Sequence, residues 1–357
     1  MPESKNRLLY GGGLTSTRPD KNSIPRFGLL WLKLPAYLGI SVLIIISLIL
    51  VSLLPFIGME LMTVSHIVDN ALQREIFLTL RFPRVLTAFI AGGGLAVCGL
   101  VFQGVFRNPM ADPFTLGVAS GASCGAAMVI LSGAAGVFLG LPVAAFGALC
   151  GAVASFLLVM IFSASIRDGS SNMILLAGIA VSFFFSSLLM FSQYVSGMGE
   201  TFRIVRWLMG GVEVFGYAPL LSMLPFITTG LVLIAANAAA LDHFLTGEDI
   251  AQTRGVHIRL SRNLLLLAAT VMTGGIVSVC GPIGFVGMMV PHFCRPFFGA
   301  SHRILLPACL FAGGIFLSIC DTFARTVIAP SEIPVGVITA LLGAPFLIWI
   351  LRSRGNV

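Results

Sequence analysis

Charge is scarce in this sequence. Asp, Glu, Lys and Arg make up 10% of the 357 residues, where a soluble domain carries about 25%. The shortage runs along the whole length, which excludes an ordinary soluble globule. Lysine is scarcer still: Lys5, Lys21 and Lys33 are the only ones. A nucleotide-binding Walker A loop needs Gly-Lys-Ser/Thr, its lysine reaching the phosphates. No such loop occurs, so the chain is not its own ATPase. The seven cysteines are odd in number, lie in apolar runs and form no Cys-x-x-Cys pair. They read as small packing residues, not as a disulfide framework or metal site.

Apolar residues fill the space. They reach 57%, the mean hydropathy is +1.01, and 40 glycines are spread among them. Small residues let membrane helices approach closely, and a spanning helix needs about 20 apolar residues. Ten spans are predicted: Pro35–Phe56, Phe82–Phe106, Phe114–Ser132, Leu141–Phe162, Met173–Tyr194, Pro219–Leu241, Leu264–Cys280, Ile283–Phe298, Ile304–Ile319 and Val335–Leu351. The eighth is short and contains Pro291. This is an all-α polytopic membrane protein, with a basic tail over residues 1–34, a transmembrane region over 35–351 and an end segment over 352–357. The first apolar run is long and no Ala-x-Ala follows it, so it reads as a retained helix and not a signal peptide.

Orientation follows the positive-inside bias. With the N-terminus in the cytoplasm, 15 of the 21 Lys and Arg fall inside. Arg74, Arg81, Arg84, Arg203, Arg206 and Arg325 fall outside. Both termini are then cytoplasmic. The net charge of +7 follows from this topology and implies no nucleic-acid binding.

The stretch from Arg81 to Gly121 is the most informative. An apolar run opens with Arg81 and Arg84 and breaks at Asn108-Pro109 and Asp112-Pro113 before turning apolar again. A residue before proline is pushed out of helical geometry, so a stiff polar corner separates two spans. Ala91–Gly99 (AGGGLAVCG) is echoed by Thr273–Gly281 (TGGIVSVCG). The two copies run in opposite directions, as inverted repeats of transporters do. Between the sixth and seventh spans lies a hydrophilic segment. Thr246 and Asp249 have capping-box spacing there, and Gly255 suits a helix end, so a short cytoplasmic helix is expected from about Gly247 to Arg254.

Taken together, Arg81, Pro83, Arg84, Gly92, Gly99, Gln103, Asn108, Pro109, Asp112, Pro113 and Gly117 resemble the signature of the FecCD-type permease subunits of type II ABC importers, which take up iron chelates, haem and cobalamin. Trp207–Gly211, Gly281–Gly287, Pro291-His292, Ile333–Gly336 and Gly343–Phe346 extend the likeness over residues 35–351. The resemblance implies a cobalamin-permease-like fold of about ten helices with an inverted internal repeat, paired as a homodimer in a bacterial inner membrane. Two cytoplasmic ABC ATPase subunits, which hold ATP and Mg, and an extracytoplasmic substrate-binding protein would be its partners beside lipid. The chain itself would hold no cofactor or metal and perform no covalent chemistry.

Site residues follow from the same likeness. Gly247, Glu248, Asp249, Ala251 and Gly255 look like the ATPase-coupling helix; an ordinary solvated helix is the plainer reading. Arg81, Arg84 and Arg325 match arginines that receive acidic residues of the binding protein, and an arginine fork suits carboxylates. Snorkelling to headgroups, or an Asp321–Arg325 pair within one helix, explains them equally. The translocation pathway would run along Ser171, Phe184, Ser187, Met190 and Gln193 to Ser196 and Gly197. Gln103, Asn108, Pro109, Pro291 and His292 form the shared structural motif, with His292 a packed histidine more than a haem ligand. The segment Ser196–Gly216 fits a surface helix. The rival function is an ion-coupled secondary transporter, which would place ionisable residues at mid-membrane; the predicted spans put no Asp, Glu or Lys there.

Overall fold

Residues 36–58, 60–138, 141–164, 171–246 and 258–354 are described by the structure, a computed structural model. Ten helices follow the ten predicted spans: Ala36–Leu53, Phe82–Phe106, Val118–Leu131, Val143–Ala164, Ser171–Val195, Ala218–Ala236, Ile258–Cys280, Val286–Phe298, His302–Thr326 and Val335–Arg354. Eight helical segments, which include all but the third and eighth of these, are long and apolar enough to cross a bilayer. The third and eighth, of 14 and 13 residues, are shorter.

Three boundaries differ from expectation by five residues or more. The ninth span runs on through Asp321 to Thr326, because Asp321 is paired with arginine inside the protein. The seventh begins at Ile258, not Leu264, and its Arg262 is buried. Charge marks a helix end only where it meets water. The sixth stops at Ala236, where Asn237 turns its side-chain amide onto the Leu233 carbonyl, and a separate helix covers Ala238–Thr246. The expected helix at Gly247–Arg254 lies outside the described residues, as does the basic tail.

The polar corner after the second span is built as its prolines dictate. Arg107 takes a left-handed conformation and closes that helix. Asn108 accepts from the Met110 N–H. Asp112 accepts from the Thr115 N–H and caps a short turn of helix over Pro113–Leu116. Burial pushes the Asp112 carboxyl up, to about 6, against the pull of those N–H groups.

The helices cross where glycines let backbones touch. A Cβ on Gly99 of the second span would collide with the Gly287 carbonyl of the eighth, and one on Gly92 with the Gly313 carbonyl of the ninth. The second span packs on the ninth and the seventh on the fourth; the third packs on the fourth and the eighth on the ninth. Exchanging two for seven, three for eight and four for nine maps this pattern onto itself. In each half a long helix, a corner and a short helix follow one another. The echo between Ala91–Gly99 and Thr273–Gly281 is thus the trace of a repeated unit. The two copies meet in the core around Phe102, Leu265 and Ile276, all without exposure.

Ahead of the second span, Val64–Asp69 and Ala71–Ile76 form short helices that lead into it through a wide turn at Phe77–Arg81. Met198–Leu208 forms the expected surface helix, with Ile204 buried and Arg203 and Arg206 outward.

Candidate functional site

Arginines of two helices meet on one buried carboxylate. Asp321, 1% exposed, receives Arg84 Nε and Nη2 at 3.0–3.2 Å and Arg325 Nε at 3.7 Å. The pair within one helix is therefore the looser of the two; the tight fork comes from the second span. Arg84 Nη1 extends outward to Glu332 Oε2 at 2.8 Å. Arg325 Nη2 donates to the Leu54 carbonyl at 3.1 Å. Arg81 lies over Gly58 and donates to the carbonyls of Phe56 and Glu60 at 3.4 and 3.0 Å. These guanidiniums tie the end of the first span to the second and ninth. Their reach to the surface differs: the Arg325 side chain is 5% exposed and that of Arg84 15%.

Three sequence motifs meet beside this network. Gly211 N donates to the Cys280 carbonyl, and Gly336 N to the Gly210 carbonyl. Gly210 and Gly281 both have positive φ, and a Cβ on Gly210 would strike the Pro282 carbonyl. Trp207–Gly211, the Gly281-Pro282 corner and Pro334–Gly336 thus form one hub. An apolar recess of about 700 Å³ opens against it, lined in part by Met209, Phe285, Val337 and Leu341.

The fifth span leaves a broad face bare. Phe183, Phe184, Met190 and Tyr194 are between 59% and 87% exposed, and Ser187 is exposed with them. Phe185 turns inward. Gln193 is half-buried, and its carbonyl accepts from the hydroxyl of Ser196. Gly197 is exposed at the turn into the surface helix. Ser171 opens the span at its other end. Phe184, Ser187, Met190 and Gln193 therefore lie along one helix that rises toward the Ser196-Gly197 turn.

The structural motif has a physical reason. Pro291 sits inside the eighth span and cannot donate to the carbonyl four residues back, which is that of Gly287. Gln103 Nε2 reaches across from the second span and donates to the Gly287 and Met288 carbonyls at 3.2 Å. Gln103 stands one turn beyond Gly99, whose bare backbone brings the two helices close enough for that bond. His292 packs edge-on against the Phe346 ring. Among the described residues no cluster of His, Cys, Asp and Glu could hold a metal.

At the opposite end of the bundle, Ala238–Thr246 leads into the segment that resembles a coupling helix by sequence, which lies outside the described residues. Asp242 Oδ1 accepts from both the backbone N–H and the Nδ1 of His302 at 2.7 Å. Arg107 Nε donates to the Phe244 carbonyl at 2.7 Å. Leu241 and Phe244 are buried beneath these contacts. Sequence reasoning gave Asp242 and Glu332 no role and met His302 only in His302-Arg303, a part of the family likeness. His302 opens its helix, where a polar residue is ordinary, Asp242 lies in the middle of a short one, and no spacing rule joins residues 60 apart.

The chain matches the model of the FecCD transport family over residues 39–353. It is 36% identical to the hemin transport system permease protein HmuU of Yersinia pestis, over 84% of this chain and 90% of that protein. It is 40% identical to the cobalamin import system permease protein BtuC of Halobacterium salinarum, over 77% and 73% respectively. A solved metal-chelate type ABC transporter in an inward-facing conformation superposes with a TM-score of 0.78 at 28% identity, covering 88% of this chain and 98% of that one.

Proposed function

Because this chain belongs to the FecCD transport family, the permeases of type II ABC importers, we propose that it is the membrane-spanning subunit of an importer for a bulky metal chelate. An iron–siderophore complex is the first candidate, with cobalamin and haem next. Two copies pair in the bacterial inner membrane with both termini in the cytoplasm. Two ABC ATPase subunits bind from inside and hold ATP and Mg, and a substrate-binding protein delivers cargo from outside.

The bare face of the fifth span carries this reading. A helix with Phe184 and Met190 at 59% and 69% exposure, interrupted by Ser187, is a weakly polar wall. Two such walls face to face make a conduit along which a large chelate slides without strong holding contacts. Closure of the ATPases would act on Gly247–Gly255, through Glu248 or Asp249 and with Ala251 allowing close docking. The helix Ala238–Thr246 carries that push to the second and ninth spans through Arg107 and His302. Arg81, Arg84 and Arg325 mark the side where the binding protein docks, and Arg84 reaches further out than Arg325.

The test is reconstitution in liposomes with and without the ATPase subunits, with ATP supplied on their side. Uptake that requires both is expected. Concentration of solute by this chain alone on an ion gradient would overturn the reading.

A further inference from the structure

An open cavity of about 620 Å³ lies on the outer face, walled by Arg84, Arg206, Glu213, Val214, Phe215 and Glu332 among others. Each of its two arginines is occupied by a glutamate of the same chain. Arg84 Nη1 holds Glu332 at 2.8 Å, and Arg206 Nη2 holds Glu213 at 2.8 Å. Both glutamates sit at the rim, 33% and 52% exposed. The remainder of the Arg84 fork is fixed on buried Asp321, so this guanidinium stays aimed into the cavity whatever becomes of Glu332. Phe215 stands beside it, 75% exposed. Arginine with an exposed aromatic is the composition of a protein-docking centre.

We propose that this cavity is the socket for an acidic side chain of the outer substrate-binding protein, and that Glu332 and Glu213 are internal stand-ins which that side chain displaces. The inference rests on the reading of Arg84 as a docking residue. It adds Arg206 to the receiving surface and gives Glu332 an antagonist's role. The Arg206–Glu213 pair, 59% and 52% exposed, contributes about 0–1 kcal/mol, so that stand-in yields readily, and release of Glu332 costs Arg84 one contact while its fork on Asp321 remains. The two glutamates keep the arginines paired while no partner is present. They also repel an approaching carboxylate, so their removal tightens docking.

The experiment uses the full transporter in nanodiscs. The probe is the solute-binding protein captured by the wild-type transporter from its own cells, then purified. Glu332→Gln is expected to lower Kd about two- to fivefold, the factor matching an ion pair of up to about 1 kcal/mol, and Glu332→Asp, which draws the carboxylate back, to lower it less. Arg206→Gln is expected to raise Kd by a similar factor. Elution volume and melting temperature check that each variant is folded. Wild-type docking is measured in parallel at low and high KCl. If salt weakens docking but Glu332→Gln and Arg206→Gln leave Kd within about twofold, the socket is overturned and docking at the outer arginines stands. If Glu332→Gln weakens docking, Glu332 is an attachment point and the proposal fails. If docking ignores salt, or no binding protein is captured, the reading of the arginines fails and the socket with it.

Discussion

Replacing Gln103 with leucine takes away the donor that the Gly287 carbonyl receives from outside its own helix. The two side chains are close in size, so little space opens. A buried carbonyl left bare costs about 1–3 kcal/mol. Gln103 Oε1 is itself buried without a hydrogen-bond partner, and removing it returns part of that cost. A net loss of about 1–2 kcal/mol is expected. The origin of the need is Pro291, so Pro291→Ala, which restores the helical N–H, should remove it. In the Pro291→Ala background the Gln103→Leu change should cost close to nothing, giving a coupling energy of at least about 1 kcal/mol. Denaturant unfolding in micelles, followed by tryptophan fluorescence on the four proteins, measures it. Effects of the two changes that add to within about 0.5 kcal/mol would refute the account of why Gln103 and Pro291 belong together.

Other consequences are as direct. Asp242→Ala leaves the buried His302 ring without its acceptor and should lower stability by about 1–3 kcal/mol, with Asp242→Asn milder; an unchanged melting curve for the alanine variant would remove the anchoring role. Glu248→Arg should leave the dimer intact while ATP is hydrolysed without uptake, and normal uptake by that variant would count against a lever at this segment. The Asp112 carboxyl is raised from 3.8 to about 6, so between those values the folded chain holds more proton than the unfolded one. Stability should then fall as pH climbs through this window and level off above it. Asp112→Asn keeps the cap and should flatten that slope, which unfolding curves at stepped pH will reveal or deny. Gly99→Ala should prevent the second and eighth spans from closing and abolish folded yield in detergent.

Most of the architecture was legible in the sequence because a bilayer imposes a coarse, one-dimensional rule. Runs between charges gave all ten helices, and the Asn108-Pro109 and Asp112-Pro113 breaks gave the corner. The misplaced ends came from the same rule where it stops holding. Arg262 and Asp321 are charges inside the protein, and only the fold supplies their surroundings. Neighbouring glycines were visible, but which glycine faces which was not; the contact of Gly99 with Gly287 joins segments almost two hundred residues apart. Arg81, Arg84 and Arg325 were found as residues and not as a network. Glu332 lies in Pro330-Ser331-Glu332, a segment with no periodicity, and its role emerges only when Arg84 is seen reaching it. Gln103 was recognised by likeness to a family, and its reason for being glutamine became apparent only from Pro291 on another helix.

The second and ninth spans touch backbone to backbone where Gly92 meets Gly313. They are clasped at one end by Arg84 and Asp321, and at the other they share a grip on Ala238–Thr246 through Arg107 and His302. Two rods glued along their length and pinned at both tips have little slack to take up a shove. A tilt imposed on the tip beside Ala238–Thr246 would therefore emerge, nearly undiminished, as a sideways displacement of the guanidiniums at the far tip.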